Sequence, residues 1–269
     1  MDIKRVLTGA IGFPIIAAIL ILSNTYVFDG IVAIIALISV HEFYNSFITT
    51  KKAKPVTFLG YISCIGIALI HIIPKEYLSL IVTLLIPAVV LILFCESIFS
   101  KMKTNVIDIS VTLFGMAYVL VFFSFIALIR GLNNGNLLVW YIFMAAWGTD
   151  ILAYLVGKYL GKHNFSEISP KKTIEGCIGG LIGAILFVLV YTVFLNKVFN
   201  TNLNYLLMTS YAIIWSILGQ IGDFAASTIK RYTGIKDYSN LLPGHGGMLD
   251  RFDSVIFIAP FAYILLMLI

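Results

Sequence analysis

The sequence predicts an all-α, polytopic integral membrane protein, because its composition is too apolar for a water-soluble chain. Of its 269 residues, 60% are hydrophobic and only 12% are charged, and the mean hydropathy is +1.01. A soluble domain has about 45–50% apolar and about 25% charged residues. The excess of apolar side chains must therefore face lipid. This excludes an ordinary soluble enzyme, a disordered chain and a typical nucleic-acid-binding domain.

Long, continuous apolar runs indicate transmembrane helices and not a membrane barrel, whose strands alternate apolar and polar residues over about 10 positions. A helix needs about 20 apolar residues to cross the hydrocarbon core. The chain contains about nine such segments, of which the first and the last are short. They are 6–22, 27–48, 56–73, 77–95, 106–129, 137–157, 174–195, 205–229 and 254–269.

The distribution of basic residues predicts the orientation of these spans. With nine spans and a cytoplasmic N-terminus, all but three of the 18 Lys and Arg residues lie in cytoplasmic segments. The outside segments keep Lys75, Arg130 and Lys197. Because cytoplasmic loops carry the excess of Lys and Arg, we expect a cytoplasmic N-terminus and a C-terminus outside. The net charge of +5 is thus explained by topology, without a nucleic-acid partner.

The chain shows no linker, low-complexity stretch or compelling repeat, so we interpret residues 1–269 as a single integral membrane domain. Cys64, Cys95 and Cys177 are odd in number and lack CxxC spacing, which argues against a disulfide framework and a structural zinc site. Two predicted cytoplasmic connections are long, 158–173 and 230–253. The second is rich in Gly and charge, and a loop of about 20 residues is usually functional or disordered.

Several carboxylates fall inside the predicted spans, where an ionisable group is a functional-site hypothesis by default. Asp108 lies near the start of its span, and we interpret it as a helix cap. Glu42 follows His41, and the sequence leaves open whether this pair is structural or functional. Asp150 and Asp223 lie deeper, so we interpret both as functional residues.

The helical faces of Asp223 and Asp150 differ in character. At about 100° per residue, the face of Asp223 carries a polar stripe of Gln220, Ser227 and Lys230. The face of Asp150 carries three small residues, Ala153, Gly157 and Gly161, together with Tyr154. Small residues permit close helix packing, whereas Tyr154 is as consistent with an interface aromatic as with a ligand contact.

The segment 169–180, which reads SPKKTIEGCIGG, predicts the start of a helix. Ser169 and Pro170 fit the N-cap and the first helical position. Lys171 and Lys172 would then lie where backbone N–H groups already favour an anion. The alternative is that both lysines only follow the positive-inside rule, and the spacing does not decide between the two.

The loop before the last span combines carboxylates with cations. Asp250 and Asp253 are three residues apart and can project to one side of a helix. Carboxylates suit Mg²⁺, which usually takes one or two of them together with water and phosphate oxygens. Asp253 is also a candidate helix N-cap. The surrounding cations are suited to hold phosphate groups, and they are Lys230, Arg231, Lys236 and Arg251.

The same loop contains a histidine and two glycines. Gly246 and Gly247 would let the backbone approach a ligand closely. His245 is open to three interpretations: a base, a metal ligand or a hydrogen-bonding anchor of the loop. From the residues alone, the site needs a divalent metal and a phosphorylated substrate that is reached at the lipid boundary.

Residues 227–253 resemble the signature of the phosphatidate cytidylyltransferases, also called CDP-diacylglycerol synthases. The segment reads STIKRYTGIKDYSNLLPGHGGMLDRFD, and it meets every fixed position of that pattern without a gap. Residues 150–180 are similar to a second conserved stretch of the family. The specific resemblance covers about 150–253, the catalytic half, and the N-terminal half agrees only in hydropathy and charge placement.

The resemblance implies transfer of CMP from CTP to phosphatidic acid, which gives CDP-diacylglycerol and pyrophosphate for phospholipid biosynthesis. It implies Mg²⁺ or another divalent cation, and a multi-pass protein of the cell membrane with its active site facing the cytoplasm. The expected partners are CTP, phosphatidic acid and membrane lipids, with no nucleic acid. The oligomeric state stays open, a homodimer included.

The resemblance also implies roles for particular residues. The expected catalytic residues are Asp223, Lys230, Arg231, Asp250 and Arg251. The expected metal ligands are Asp223, Asp250 and Asp253. The expected substrate-binding residues are Asp150, Lys171, Lys172, Ser227, Lys236, Asp237, His245, Gly246 and Gly247.

Two alternatives to this function stay open at this point. One is a related membrane enzyme that uses CTP with another lipid, such as a polyprenol kinase or a cytidylyltransferase for a different lipid phosphate. The other is a transporter, because intramembrane acids also mark ion pathways. Four of these acids, Glu42, Asp108, Asp150 and Asp223, cluster on one predicted side of the membrane, which favours an enzyme that draws CTP from the cytosol.

Overall fold

The computed structural model describes residues 3–166, 169 and 172–269, and every regular element in these ranges is helical. A π-helical segment, Met116–Val121, joins two of the helices into one continuous run. The all-α prediction is confirmed for the described residues. In chain order, the helices are α1 (Ile3–Leu22), α2 (Thr25–Thr49), α3 (Thr57–Ala68), α4 (Lys75–Phe99), α5 (Val106–Gly115), α6 (Phe122–Arg130), α7 (Gly135–Leu138), α8 (Trp140–Leu160), α9 (Ile174–Phe199), α10 (Tyr205–Thr233) and α11 (Leu249–Leu266).

Six helical segments in the described ranges are long and apolar enough to cross a membrane. The fold is therefore that of a multi-pass membrane protein, and the count of nine spans stays a prediction. The third predicted span is shorter than expected, since α3 has only 12 residues. The last one begins earlier than expected, at Leu249, and its first turns carry three charges. The six segments are Thr25–Thr49, Glu76–Phe99, Val106–Arg130, Gly135–Leu160, Ile174–Phe199 and Tyr205–Thr233.

The chain divides into two compact units, each assembled from separate stretches of sequence. The first unit comprises Met1–Gly131 and Tyr232–Arg251, and the second comprises Leu132–Arg231 and Phe252–Ile269. The signature segment is therefore divided between the units. Residues 227–231 and 252–253 belong to the second unit, and residues 232–251 belong to the first.

Helix α2 contributes much of the core of the first unit. Its Phe43 and Tyr44 side chains are completely buried, and the Tyr44 hydroxyl donates a hydrogen bond to the Thr112 carbonyl at 2.9 Å. Gly60 makes room for the tyrosine, because a Cβ at this position would lie 2.6 Å from the Tyr44 ring. These contacts fix the helix on which Glu42 lies.

Asp108 caps helix α5, as the sequence predicts. Asn105 and Asp108 form a capping box, in which the Asp108 carboxylate accepts the Asn105 N–H at 3.0 Å. The other carboxylate oxygen accepts the N–H of Lys54 at 2.5 Å. The interpretation of Asp108 as a structural cap is confirmed, and the same side chain also ties the connection between α2 and α3 to α5.

Glycines bring α8 and α9 into backbone contact in the second unit. A Cβ on Gly148 would lie 2.6 Å from the Gly183 carbonyl oxygen. A Cβ on Gly176 would lie 2.9 Å from the Ala153 carbonyl oxygen, and Gly157 lies directly opposite Gly176. The close packing that the small residues of α8 predict is confirmed.

Candidate active site

A cavity of about 410 Å³ with charged residues in its lining lies within the second unit, between α8, α9, α10 and the loop that precedes α9. Its charged lining residues are Asp150 and Lys158 from α8, Lys172 from the loop and Asp223 from α10. Gln220, one turn before Asp223, also lines the cavity. The structure thus brings together Asp150, Lys172 and Asp223, three residues that the sequence places in the site.

Lys172 and Asp223 form an ion pair inside this cavity, between Nζ and Oδ2. The two side chains are 27% and 32% exposed, so a ligand in the cavity can reach both charges. The Lys172 Nζ also lies 4.1 Å from the centre of the Phe224 ring, a cation–π geometry. Phe165 stacks on Phe224, with 4.9 Å between ring centres. The lysine is therefore held in place by a carboxylate and an aromatic pair.

Sequence reasoning did not identify Phe165 and Phe224 as part of the site. Phe224 directly follows Asp223, and Phe165 lies in the loop before α9. Phenylalanines are too common in an apolar chain to signal a role by pattern. A feature that could have pointed to Phe224 is its position next to an intramembrane carboxylate.

Helix α9 begins later than the sequence predicts, which changes the setting of Lys172. Thr173 is the N-cap, and its hydroxyl accepts the Gly176 N–H at 3.0 Å. The prediction that Ser169 is the N-cap is therefore wrong, and Ser169 lines the cavity instead. An antiparallel bridge between Asn164 and Thr173 holds the cap in extended backbone, which explains why the later threonine is used.

Two lysines were expected at this helix start, and the structure describes one of them. Lys172 immediately precedes the cap, and Lys171 and Pro170 lie outside the described residues. Glu175, in the first turn of α9, holds the beginning of the loop that precedes this helix. Its carboxylate accepts the backbone N–H groups of Lys162 and His163 at 3.1 and 3.3 Å, and contacts the His163 Nδ1 at 2.7 Å.

Asp253 is a buried carboxylate of the same unit, with 8% of its surface exposed. It lies in electrostatic range of Asp223, Lys230 and Asp150. The alternative that Asp253 is a helix N-cap is wrong, because α11 already begins at Leu249. Asp253 is thus an internal residue of the helix, and its Oδ1 accepts the Ser254 N–H at 2.7 Å.

Gly222 allows the backbones of α10 and α11 to approach each other next to this carboxylate. A Cβ on Gly222 would lie 2.5 Å from the Asp253 carbonyl oxygen and 2.9 Å from the Phe257 side chain. This glycine was not singled out from the sequence. Because Gly222 directly precedes Asp223, this backbone approach lies beside the ion-paired carboxylate.

Apart from Asp250, the remaining polar residues expected in the site from this signature are more open to solvent. Ser227 and Lys230 on α10 are partly buried, and Arg231, at the end of that stretch, is exposed. In the first unit, Lys236, Asp237 and Arg251 are exposed as well. Exposed cations can reach a nucleotide arriving from water, so their predicted roles in substrate binding stay compatible with their surroundings.

Asp250 organises the loop of the first unit. Its Oδ2 accepts the backbone N–H groups of Tyr238 at 2.8 Å and Gly247 at 2.9 Å. Gly246 has a φ of +83°, and a Cβ there would lie 2.9 Å from the same oxygen. A side chain at position 246 would therefore crowd the Asp250 carboxylate, and glycine leaves room for it. The expected role of Asp250 as a metal ligand stays a prediction.

Glu42 and His41 lie in separate hydrogen-bonded environments. The Glu42 carboxylate is 4% exposed and accepts hydrogen bonds from the Ser239 hydroxyl and from the N–H groups of Met248 and Leu249. His41 points elsewhere, with its Nδ1 2.8 Å from the Tyr61 hydroxyl. The two neighbours therefore do not act as a pair.

His245 lies in a tight turn, in which its N–H donates to the Leu242 carbonyl at 2.8 Å. Its Nδ1 is buried and has no hydrogen-bond partner among the residues that the structure describes. The side chain therefore does not anchor the loop through Nδ1, and its role as a base or a ligand stays a prediction.

The donor set of the second unit is chemically suited to a divalent cation. Asp150, Asp223 and Asp253 offer the hard oxygen ligands that Mg²⁺ prefers. Within the described ranges, no three His, Cys, Asp or Glu side chains lie close enough to complete a metal site by themselves. Mg²⁺ usually takes only one or two carboxylates and fills its other positions with water and phosphate oxygens. The residues therefore fit a cation that binds together with a nucleotide.

Comparison with known proteins gives one consistent result across the chain. Residues 3–269 match the Cytidylyltransferase family. A phosphatidate cytidylyltransferase of Staphylococcus haemolyticus is 36% identical over 268 residues, which cover 97% of this chain and 98% of the relative. One from Staphylococcus aureus strain COL is 35% identical with the same coverage. A third, from Staphylococcus saprophyticus, is 36% identical over 87% of each chain. The chain belongs to the cytidylyltransferase family.

Proposed function

We propose that this protein transfers CMP from CTP to phosphatidic acid and so produces CDP-diacylglycerol and pyrophosphate. The observation that carries this conclusion is the similarity to phosphatidate cytidylyltransferases over 97% of the chain. The cavity of the second unit supports it chemically. Lys158 and Lys172, which suit phosphate groups, line this cavity next to long apolar helices that suit a lipid substrate.

The reaction requires charge neutralisation more than acid–base chemistry. A phosphate oxygen of phosphatidic acid attacks the α-phosphorus of CTP, the bond from that phosphorus to the bridging oxygen breaks, and pyrophosphate leaves. Catalysis of such a transfer is mostly positioning and electrostatic stabilisation. The attacking monoester is already ionised near neutral pH, so we assign no side-chain base.

The cations of the site take the role of neutralising the phosphates. Lys172 is held at the cavity wall beside Asp223, and a triphosphate in the cavity would offer it further oxygens. Lys230 and Arg231 follow on the same helix as Asp223. We assign all three to phosphate binding, together with Arg251 and Lys236 of the first unit.

A divalent cation would be held by Asp223 and Asp253 in the second unit. When bound, it would neutralise developing charge on the phosphate oxygens. Asp150 lies in electrostatic range of Asp253 and would add to the negative potential that attracts the cation. Asp250 keeps its predicted role as a ligand, although its Oδ2 already accepts two backbone N–H groups.

We further propose that the protein crosses the cell membrane nine times, with the N-terminus and the active site on the cytoplasmic side. Helices α1, α3 and α11 would complete the six segments that are long and apolar enough to span. The support is the positive-inside distribution of Lys and Arg. A cytoplasmic site gives CTP direct access from the cytosol.

A substrate panel with the purified protein tests the proposed function. Labelled CTP and Mg²⁺ are incubated with phosphatidic acid, with another lipid phosphate or with a polyprenol, and the lipid-soluble product is identified by mass. We expect CDP-diacylglycerol with phosphatidic acid only. Product from a different lipid would keep the chemistry and overturn the substrate, and no lipid product at all would favour a transporter.

A further inference from the structure

The buried carboxylate of Glu42 joins helix α2 to the beginning of helix α11. Its Oε1 accepts the Ser239 hydroxyl at 2.6 Å and the Met248 N–H at 2.9 Å, and its Oε2 accepts the Leu249 N–H at 2.8 Å. The first N–H groups of a helix have no partner within the helix. Glu42 therefore caps α11 from a segment that is distant in sequence.

The shape of the loop backbone is matched to this carboxylate. A Cβ on Gly247 would lie 2.6 Å from the Glu42 Oε2, so the backbone fits here because residue 247 has no side chain. The Gly247 N–H in turn donates to the Asp250 Oδ2 at 2.9 Å. Two carboxylates thus hold neighbouring N–H groups of one short segment, from Gly247 to Leu249.

The segment held in this way carries residues with expected roles in the reaction. Asp250 and Arg251 lie in the first turn of α11, directly after the two N–H groups that Glu42 binds. A buried charge is costly unless it is well hydrogen-bonded, and a neutral Ser or Asn is sufficient to cap an ordinary helix. The Glu42 carboxylate instead accepts three hydrogen bonds at the start of α11, which indicates that the geometry of this turn has to be fixed.

We propose that Glu42 is a positioning residue for CMP transfer, an inference that rests on the proposed function. It holds the turn before α11 so that Asp250 and Arg251 keep one orientation. Glu42 does not touch the substrate, and it acts through the backbone of residues 247–249. A small displacement of a catalytic group can lower the rate by about 100-fold.

The variant Glu42→Gln tests this proposal because it keeps the size of the side chain. An amide has one acceptor oxygen, and its NH₂ group would face at least one of the donors that Glu42 now binds. We expect kcat to fall by about 10–100-fold, with the KM for CTP within about threefold of the wild-type value. Hydrogen exchange at Met248 and Leu249 should become faster, which reports the released N–H groups without any assay of activity.

The matched control is Asp29→Asn, which also removes a buried carboxylate charge from α2. Asp29 is fully buried, and its Oδ2 lies 2.7 Å from the His71 Nδ1. This variant should lower the midpoint of thermal unfolding and keep kcat within about twofold, because Asp29 has no contact with the turn before α11 among those described. Equal losses of kcat in both variants would overturn the proposal, as would an unchanged kcat in Glu42→Gln.

A second variant keeps the test decisive if Glu42→Gln does not accumulate. Ser239→Ala removes one donor and leaves the two N–H bonds, so kcat should fall by only about two- to fivefold. An unchanged kcat in Ser239→Ala would then contradict the proposal. Failure of the wild-type protein to form CDP-diacylglycerol would overturn the proposed function itself, whereas the exchange rates decide separately whether Glu42 holds the turn.

Discussion

At the scale of single residues, the main feature of the cavity is a pair of opposite charges in its lining, Lys172 and Asp223. The Asp223 side chain is partly buried, and its negative charge is paired with the ammonium group of Lys172. The lysine is itself confined by the Phe224 ring, 4.1 Å away, which limits the directions that its ammonium group can take. A cation confined in this way is ready to meet a phosphate with little loss of side-chain entropy.

Removal of the Lys172 charge should therefore affect CTP more than phosphatidic acid or stability. We expect Lys172→Met to lower kcat/KM for CTP by about 10–100-fold, the value of a charge-assisted hydrogen bond. The control is Lys52→Met in the first unit, where the Lys52 Nζ also lies over an aromatic ring, 5.3 Å from the centre of Tyr232. The measurement is kcat/KM for CTP by steady-state kinetics of both variants. Small and equal losses of kcat/KM in the two variants would show that Lys172 does not bind CTP.

Single residues also show what the sequence can and cannot predict. Asp223 and Glu42 are identifiable because carboxylates in apolar runs are rare and costly. Their partners are not identifiable in the same way. Ser239 and Leu249 are separated from Glu42 by most of the chain, and only the folded packing brings them together. The sequence therefore identifies a carboxylate in an apolar run as a candidate functional residue, but it does not reveal which groups that carboxylate binds.

At the scale of helices, glycines decide how closely the elements that line the cavity pack. The backbones of α8 and α9 touch at Gly148 and Gly183, where even one methyl group would overlap a carbonyl oxygen. This contact lies on the two helices that contribute Asp150 and Cys177 to the cavity wall. The width of the cavity thus depends on Gly148 and Gly183, which have no side chain that could bind a ligand.

The variant Gly148→Ala should destabilise the protein by about 1–3 kcal/mol, because its Cβ would lie 2.6 Å from the Gly183 carbonyl oxygen. The control is Gly30→Ala on α2, where no atom lies within 4 Å of the added Cβ. There, alanine should be neutral or stabilising by up to about 1 kcal/mol, through its higher helix propensity. Thermal unfolding of both variants in detergent is the measurement, and a stable Gly148→Ala would contradict the described packing.

Helix ends are less predictable than helix existence. Ser169 and Thr173 both precede an apolar run, and the Ser–Pro pair favours the earlier position by local rules. The structure uses Thr173 because the bridge to Asn164 fixes its backbone, and local sequence does not reveal that contact. Close packing of small residues on α8 was predictable, since it follows from spacing alone.

At the scale of the whole molecule, the protein combines long apolar helices with two compact units that are discontinuous in sequence. Hydropathy alone predicts six of the spans, because their apolar runs are long and nearly free of charge. It is less decisive for α3, which has 12 residues, and for α11, which begins with Asp250, Arg251 and Asp253. The division into units is invisible in the sequence, because a segment near the C-terminus joins the N-terminal helices.

The nine-span topology is tested by reporter fusions at the end of the chain. A reporter that is active only outside the cytoplasm, fused after Ile269, should be active, and a reporter that needs the cytoplasm should be inactive there. The excess of Lys and Arg in alternate connections is the physical reason. A control fusion in the 230–248 loop should give the opposite pattern, and a cytoplasmic C-terminus would contradict the proposed topology.

The central claim is that the Asp223 carboxylate serves metal-dependent CMP transfer to phosphatidic acid. Its most direct test is the formation of labelled CDP-diacylglycerol by the purified wild-type protein and by Asp223→Asn, each with Mg²⁺ and with excess EDTA. We predict product from the wild-type protein with Mg²⁺ only, and a loss of about 100-fold or more in a folded, membrane-inserted Asp223→Asn. Near-normal turnover by Asp223→Asn, or wild-type turnover that survives EDTA, would contradict the account.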